Sequence, residues 1–330
     1  MRLSPDRLSY IHPQAWKDIQ GHRLGGRPEH SKDPRFYPLD YWGEWNIVTQ
    51  RNTDEHGQMR KTFSNAFSDK ALKLQEPLIR TYVDMLIRNI NRAITAKPGS
   101  AMDFVKLYNF TTFDIMGDLA FGEPLGLLET SEYTPWVKAV FGMVKYTSFL
   151  RLVMQYPLLG RIIRAIQPQS LRDMERRHYE HANTRVDRRL AKGVDLGKPD
   201  IWKLILQKEE NPMSLAQMYS NSSVFMAAGT ETTASALSGV TFYLLQHPTI
   251  LQKLVNEVRS LPQEDLSLEV LPRLPYLNAC LKEGLRLFPP APIGFPRQVA
   301  EGGAFICGKW VPEGVRTTFK FECIRANIML

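Results

Sequence analysis

A six-residue segment in the middle of the chain combines side chains that could handle a proton beside a small polar molecule. It runs from Ala228 to Thr233, contains Gly229, Glu231 and Thr232, and interrupts a stretch that is otherwise apolar. Glycine weakens a helix interior by about 1 kcal/mol, and a Thr hydroxyl can bond to the carbonyl one turn earlier. Two interpretations stay open: a notch in a buried helix that holds dioxygen or water against a cofactor, or a partly exposed helix whose Thr hydroxyls bond to its own backbone.

Glu283 and Arg286 form a second pattern, because an acid and a base three residues apart lie on one face of a helix and can pair there. Such pairs occur on most surface helices, so the spacing alone favours a solvent-exposed ion pair. The run that follows changes the interpretation. It is rich in proline, ends the helix before Pro289, and presents Arg297 at the start of a predicted strand.

The segment with Glu231 lies in a predicted long helix over residues 215–246, which Ser214 caps and Pro248 ends. Because this helix is apolar nearly all round at its centre, we expect it in the middle of the protein. Asp54 and Asp69 are the predicted N-caps of two earlier helices. The sequence predicts about nine helices and a few small strands, so the fold class is mainly α. No shift in composition divides the chain into two domains.

Composition excludes several classes of protein. The chain has 330 residues, of which 43% are hydrophobic and 23% charged, so it can bury a large core and is not a disordered protein. Its 22 Pro and 21 Gly follow no repeat, which excludes collagen-like, coiled-coil and low-complexity classes. Three cysteines without a Cys-x-x-Cys pair exclude a disulfide scaffold and a cysteine-rich zinc module, and they indicate an intracellular protein. No signal peptide and no membrane-spanning run is predicted.

Positive charge is in excess and is unevenly distributed. Lys and Arg number 42 against 34 Asp and Glu, and residues 161–192 hold nine basic and four acidic side chains. The simpler interpretation of this basic segment is a solvated helix face. The alternatives are contacts with an anionic lipid surface, an acidic protein or a nucleic acid.

Taken in order, these motifs resemble those of the cytochrome P450 family, and most of all its filamentous-fungal members that modify secondary metabolites. Residues 228–233 match the (Ala/Gly)-Gly-x-(Asp/Glu)-Thr-(Thr/Ser) motif of the oxygen-binding helix, and residues 283–286 match the Glu-x-x-Arg pair. Residues 56–60 fall on the helix that contacts the haem propionates, with His in place of the more frequent Trp, and Arg297 matches a second propionate partner. The resemblance covers residues 33–314. It implies a mainly α, P450-like helical fold with small β-sheets, incomplete at both ends.

The resemblance also implies roles for single residues. The catalytic pair is Thr232, which donates a hydrogen bond to dioxygen, and Glu231, which belongs to the proton-delivery path. Glu283 and Arg286 are structural and lock the core. Haem is the implied cofactor, and the residues that bind it are His56, Arg60, Ala228, Gly229 and Arg297.

The sequence departs from the family at the iron ligand. A cysteine thiolate on the iron favours O–O cleavage, and the loop that presents it, Phe-x-x-Gly-x-Arg-x-Cys-x-Gly, is missing. Cys280 and Cys307 would be structural in the family's fold, and Cys323 lacks the required glycines and arginine around it. No metal ligand is therefore assigned. A partial P450 domain without an N-terminal anchor is expected over residues 1–314, followed by a non-family tail over 315–330.

The sequence thus predicts a P450-type monooxygenase that oxidises or hydroxylates a lipophilic secondary metabolite, with dioxygen and an NADPH-cytochrome P450 reductase as its partners. It is expected to be inactive as the chain given. The alternative is a non-catalytic P450 remnant that binds a hydrophobic ligand or a partner. By family the protein belongs at the endoplasmic reticulum membrane surface, where residues 157–192 would contact anionic lipid, whereas this anchorless chain is expected in the cytoplasm. A nucleic-acid-binding function rests on charge alone and is not favoured.

Overall fold

The computed structural model describes residues 1–22, 28–142, 169–193, 197, 199–206, 213–292 and 294–319. The chain divides into two compact units. The first unit joins the two ends of the chain, Met1–Met59 and Ala291–Leu330, and the second is the middle, Arg60–Pro290. No composition shift marks this division, because the first unit combines segments that are remote along the sequence. The predicted boundary at Gly314 stays a prediction, and residues 320–330 lie outside the described residues.

The first unit contains small sheets and one short helix, α1 (Pro13–Gln20). Its strands are β1 (Arg2–Ser4), β2 (Arg7–Tyr10), β3 (Ser31–Lys32), β4 (Arg297–Gln298), β5 (Ala304–Ile306), β6 (Lys309–Val311) and β7 (Arg316–Phe319). Five strands form a sheet in the order β1-β2-β7-β4-β3, and β5 pairs with β6. β2 and β7 are parallel, and the other pairs are antiparallel. One sheet therefore joins the first strands to the last described one.

An apolar cluster holds this unit together. Ala15 and Ile19 of α1 pack in it with side chains from the C-terminal strands and turns: Val299, Ala304, Ile306, Val311 and Phe319. A charged contact adds to the sheet, since Arg316 on β7 bonds both carboxylate oxygens of Asp6 at 3.0 Å. This contact is the main reason that the pKa of Asp6 is lowered to about 2.

The second unit is helical, and the limit between the units falls within α2 (Thr53–Ser64). The helices that follow are α3 (Asp69–Ala96), α4 (Phe104–Phe121), α5 (Leu127–Thr130), α6 (135–142 as described), α7 (Gln169–Ala191), α8 (Ile201–Leu206), α9 (Leu215–Gln246), α10 (Pro248–Arg259) and α11 (Pro275–Leu287). Two 3-10 turns, Gln263–Asp265 and Leu271–Arg273, lie between α10 and α11. The predicted fold class, mainly α with small sheets, is confirmed.

The helix starts were predicted well at α9 and less well at α2 and α3. Ser214 caps α9 in a capping box with Gln217, as its sequence indicates. The predicted caps Asp54 and Asp69 are wrong by one or two residues. The side chain of Asn52 accepts the first N–H groups at α2 and that of Ser68 accepts one at α3, so the two aspartates lie inside the first turns. Their negative charge still suits the positive end of the helix dipole.

α9 packs along α4 and also against α7, α10 and α11. Close approach at Gly239, where an added Cβ would lie 2.6 Å from a ring carbon of Phe288, explains a glycine in the helix interior. The C-terminal part of α9 is more exposed than a central helix was predicted to be, since Phe242 and Leu245 expose 58% and 63% of their surface. In the part of the chain that the structure describes, no helix combines the length and the apolar composition that crossing a membrane requires.

Candidate functional site

On α9, the hydroxyls of Thr230 and Thr232 bond to the helix backbone one turn earlier. Thr230 Oγ1 donates to Met226 O at 2.6 Å, and Thr232 Oγ1 donates to Ala228 O at 2.5 Å. The helix continues through both bonds without interruption. Backbone-bonded Thr hydroxyls, one of the two interpretations of this segment, are therefore present. Thr232 Oγ1 can exchange its hydrogen bond to the Ala228 carbonyl for a hydrogen bond to a ligand.

Exposure separates the two sides of this segment. Thr230 is fully buried, Ala228 and Thr233 are exposed, and Glu231 and Thr232 are half-buried. Ala228 and Thr232 are four residues apart, so they share one face of α9. The Glu231 carboxylate has no hydrogen bond or ion pair with any residue in the described ranges. This part of α9 therefore offers a hydroxyl and an adjacent unpaired carboxylate.

Gly229 lies against α4 rather than on the exposed face. A Cβ built on Gly229 would lie 2.8 Å from Met116 Sδ, so the packing of two helices accounts for this glycine. The structure thus gives Gly229 a packing role that its place in the motif does not reveal.

An aromatic cluster lies on the same face of α9 as Ala228 and Thr232, closer to the start of the helix. Phe225, one turn before Ala228, lies 4.9 Å from Phe63 and 5.7 Å from Phe67 between ring centroids. Both pairs meet edge to face, which is a favourable arrangement for aromatic rings. Phe67 exposes 50% of its surface, so the cluster presents apolar surface about two helical turns before Thr232.

Glu283 and Arg286 form a bidentate ion pair on α11. Arg286 Nε donates to Glu283 Oε2 at 2.7 Å, and Nη2 donates to Oε1 at 2.5 Å. The hydrogen bond to Arg286 holds the pKa of Glu283 below its ordinary value. The side chains expose 45% and 35% of their surface, so in the described part of the fold this is a solvent-screened pair of at most about 1 kcal/mol.

The residues matched to the propionate contacts lie in different places. Arg297 on β4 is half-buried, and its guanidinium donates to Gln20 Oε1 at 2.9 Å and to His30 O at 3.3 Å, both neutral acceptors. Burial is the main reason that the pKa of Arg297 is lowered. His56 and Arg60 lie on α2, where His56 is half-buried and Arg60 is exposed.

Sequence patterns do not single out Lys32, which the structure buries. This side chain is 8% exposed, and its Nζ donates to Val48 O at 2.9 Å and to Ile47 O at 3.4 Å. Burial, together with the positive charge of Arg297, lowers the pKa of Lys32 to about 8. Lys32 is in the two-residue strand β3 and carries no pattern of its own, because contacts with the backbone of Ile47 and Val48 accompany its burial.

α7 contains the described part of the basic segment, and residues 161–168 lie outside the described residues. Several of its cations are paired within the protein. Arg185, Arg188 and Lys192 lie 3.3, 3.0 and 3.6 Å from carboxylate oxygens of Glu123. The excess charge that the sequence shows is thus partly offset inside the second unit.

α7 also buries a histidine that the sequence does not mark. His178 is 1% exposed, its Nε2 lies 2.7 Å from Ser223 Oγ on α9, and its ring stacks on Trp136 with centroids 5.7 Å apart. Burial, with a smaller contribution from His181, lowers the pKa of His178 to about 4. His178 is therefore neutral near physiological pH, and it joins α7 to α9.

The family model described as cytochrome P450 matches residues 6–319. The chain belongs to the cytochrome P450 family. A P450 monooxygenase of the fungus Hormonema carpetanum is 47% identical, over 96% of this chain and 63% of that protein. Fungal P450 monooxygenases of Gibberella moniliformis and Alternaria alternata are 44% and 40% identical over 96% of this chain and over 68% and 65% of their own lengths. The predicted family is confirmed, and the chain spans less than two thirds of the Hormonema P450.

Cytochromes P450 hold haem iron through a cysteine thiolate, so the cysteines test whether this chain fits the group. Cys280 lies on α11 and Cys307 in the turn between β5 and β6. Burial raises the pKa of both thiols, and the charges of Glu257 and Asp18 add to the shift. A thiolate ligand needs the opposite shift, so neither fits the axial position, and Cys323 lies outside the described residues. Neither of the two cysteines in the described part of this P450 thus fits the axial ligand of a haem iron.

Proposed function

We propose that this chain belongs to a P450 monooxygenase that inserts one oxygen atom of O2 into a lipophilic secondary metabolite. The second oxygen atom leaves as water with two protons, and the two electrons come from NADPH through a cytochrome P450 reductase. The observation that carries the proposal is the Thr232 hydroxyl, which the Ala228 carbonyl holds at 2.5 Å beside the unpaired carboxylate of Glu231. The fungal relatives, which are P450 monooxygenases, support the reaction class.

In this proposal the side chains of α9 supply hydrogen bonds and protons. Haem, when bound, supplies the activation of oxygen. Thr232 exchanges its bond to the Ala228 carbonyl for a bond to the oxygen substrate. Glu231 is half-buried and in reach of solvent, so it can pass protons to that hydroxyl as a general acid.

The proposal gives Arg297 the task of holding a haem carboxylate. Arg297 suits this task because both of its hydrogen-bond acceptors, Gln20 and His30, are neutral, and a charged acceptor forms a stronger bond. His56 and Arg60 have the same proposed task. Ala228 is small and lies on the exposed face of α9, so it lets the ring approach closely, and Gly229 lets the same segment of α9 pack against α4. Glu283 and Arg286 have the proposed structural role of locking the core.

A lipophilic substrate is supported by the aromatic cluster of Phe63, Phe67 and Phe225. Small-molecule sites are lined mainly by apolar and aromatic side chains, with a few polar groups that fix orientation. Thr232 would be such a polar group, since it lies on the same helix face two turns from Phe225. The proposal also includes the endoplasmic reticulum membrane surface, which arginines such as Arg176 and Arg188, both 54% exposed, can approach.

A second function is favoured by the cysteines. Because neither Cys280 nor Cys307 fits the axial position, a chain without another thiolate would bind a hydrophobic ligand near Phe225 and leave it unoxidised. This non-catalytic remnant shares the fold and the apolar surface of the monooxygenase and lacks its oxygen chemistry.

The spectrum of the ferrous carbonyl complex separates the two functions. The full chain is reconstituted with haem, reduced and exposed to carbon monoxide. A red-shifted Soret band typical of thiolate ligation supports the monooxygenase, whereas bound haem without this band overturns it for this chain and leaves the remnant. Cys323→Ser tests whether the tail cysteine is the ligand, because the band should then disappear. Cys280→Ser is the matched control and should keep it.

A further inference from the structure

A cavity of about 920 Å³ lies in the second unit, next to α6 and α7. Its wall includes Leu125, Trp136, Ala139, Leu171 and Met174. No lining residue in the described ranges belongs to α9, so the cavity is separate from the Thr232 face. Its size is within the range of small-molecule sites, about 300 to 1,000 Å³.

One wall of the cavity is a fixed aromatic surface. Trp136 is 8% exposed, and its ring stacks on His181 with centroids 4.4 Å apart and on His178 at 5.7 Å. The Nε2 atom of His181 accepts a hydrogen bond from Arg185 Nε at 2.9 Å, so three side chains hold one another in place. A rigid apolar wall of this kind can receive the body of a lipophilic ligand at little cost in side-chain entropy.

The rest of the lining carries an excess of positive charge. Among the described lining residues there are three arginines, Arg177, Arg185 and Arg188, and one acid, Glu180. Glu123, a further carboxylate in contact with these arginines, is already shared by Arg185, Arg188 and Lys192. Arg185 is also 13% exposed, so its charge is poorly solvated. These guanidinium groups therefore have more hydrogen-bond donors and more charge than the surrounding carboxylates offset.

We propose that this cavity binds a lipophilic carboxylic acid. The apolar body lies against Trp136, Leu171 and Met174, and the carboxylate accepts hydrogen bonds from Arg185 and Arg188, whose planar guanidinium groups match carboxylate geometry. A neutral ligand of the same shape would gain the apolar contacts and leave the excess charge unbalanced. The inference does not depend on haem or on the proposed oxidation, since none of these groups belongs to α9.

The test compares decanoate with decanol, which has the same chain length and no charge, by isothermal titration of the full chain without haem. Decanoate is expected to bind at least roughly ten-fold more tightly, because a charge-assisted hydrogen bond contributes about 1.5 to 3 kcal/mol. Equal affinity for the two compounds, or no binding of decanoate, overturns the proposal.

Two matched variants assign the binding to this cavity. Arg188→Gln removes a lining cation and should weaken decanoate binding about five-fold or more, with decanol unchanged. Arg273→Gln is the control, because Arg273 is also an exposed arginine of the second unit and pairs with Glu269, and neither residue lines the cavity. Equal weakening by both variants would mean a general effect of charge and would overturn the assignment.

A filling variant tests the cavity by another route. Ala139→Phe places a ring in the space and should abolish decanoate binding, while near-ultraviolet circular dichroism and the urea midpoint show that the chain is folded. Binding that persists in this folded variant contradicts the proposed site. Because haem is absent from every arm, failure here leaves the carbonyl test of the proposed function unaffected.

Discussion

Arg189 and Asp200 form an ion pair that is closed to solvent, with both side chains 0% exposed. Arg189 Nε donates to Asp200 Oδ2 at 2.6 Å and Nη2 donates to Oδ1 at 3.1 Å. Arg189 Nη1 also donates to Gly193 O, and Asp200 Oδ1 accepts the N–H of Lys203, both at 2.7 Å. The pair fastens the end of α7 to the start of α8, and each buried charge has several partners.

Asp200→Ala is expected to lower the free energy of unfolding by about 3 to 5 kcal/mol, because the Arg189 guanidinium is left buried without its counter-charge. Urea denaturation measures this change. The control is Asp173→Ala, which removes one of the two acidic partners of the exposed Arg176, at 3.5 Å, and should cost less than about 1 kcal/mol.

The double variant Arg189→Met with Asp200→Leu should be more stable than Asp200→Ala alone. Removing both charges also removes the cost of burying them, so an apolar pair of similar volume is close to neutral. The single variants Arg189→Met and Asp200→Leu complete the cycle. If the double variant loses as much stability as these two variants lose together, the charges stabilise the fold independently and the burial cost assigned to the pair is wrong.

Gly284→Ala is expected to destabilise the contact between α11 and α9 by about 1 to 3 kcal/mol. The added Cβ would lie 2.4 Å from Cγ2 of Val240, a branched side chain with little freedom to move away. Adding Val240→Ala should restore part of the loss, as a double-mutant cycle in urea would show.

Gly229→Ala is expected to lower stability less than Gly284→Ala does. Its Cβ would lie 2.8 Å from Met116 Sδ, which belongs to a flexible side chain that can change rotamer. The gain of about 1 kcal/mol from replacing glycine in a helix should offset much of the strain. A larger decrease in the free energy of unfolding for Gly229→Ala than for Gly284→Ala would contradict this explanation.

Stability is expected to decrease as the pH falls from about 6.5 towards 4, in part because of His178. Its pKa is lowered from 6.5 to about 4 in the folded state, so the unfolded state binds more protons between these values. The slope contributed by one histidine is at most about 1.4 kcal/mol per pH unit. Urea denaturation across this range measures the slope.

His178→Phe keeps a ring against Trp136 and cannot take up a proton, so its stability should decrease less steeply over the same range. Part of the slope should remain, because burial and the charges of Arg185 and Arg188 also lower the pKa of His181 to about 4. Parallel curves for the wild type and the variant would show that His178 has no role in the acid response.

Lys32 should produce a second window in which stability rises with pH, at alkaline pH. Burial lowers its pKa from 10.5 to about 8, so the unfolded state binds more protons between these values and stability rises with pH there. Lys32→Met should have a higher urea midpoint than the wild type at neutral pH, with the difference shrinking as the pH approaches 10.5. A constant difference would mean that the lysine is buried at no electrostatic cost.

Local patterns predicted the parts of the fold that depend on neighbours in sequence. The cap at Ser214 and the bounds of the long helix α9 follow from a cap residue, an apolar stretch and Pro248. The caps of α2 and α3 were misplaced because several polar residues stand side by side there. Backbone dihedral angles, which the sequence does not reveal, decide which of them accepts the hydrogen bond.

The candidate site was predictable where its residues are adjacent and not where they are remote. Glu231 and Thr232 follow from one motif, and the pairing of Glu283 with Arg286 follows from a helical spacing. The burial of Lys32, the link from His178 to Ser223 and the pair of Arg189 and Asp200 depend on packing between separate elements. A single sequence carries no signal for such contacts, so the structure was needed to find them.

The parallel pairing of β2 with β7 sets Arg7 opposite Arg316. On the ribosome, β2 emerges long before β7 is translated, and its hydrogen-bonding edge has to wait for that neighbour. The middle helices can fold meanwhile through contacts that are closer in sequence. Translation that stops between β2 and β7 would leave that edge open to other nascent chains, so a strand made much later protects β2 from aggregation.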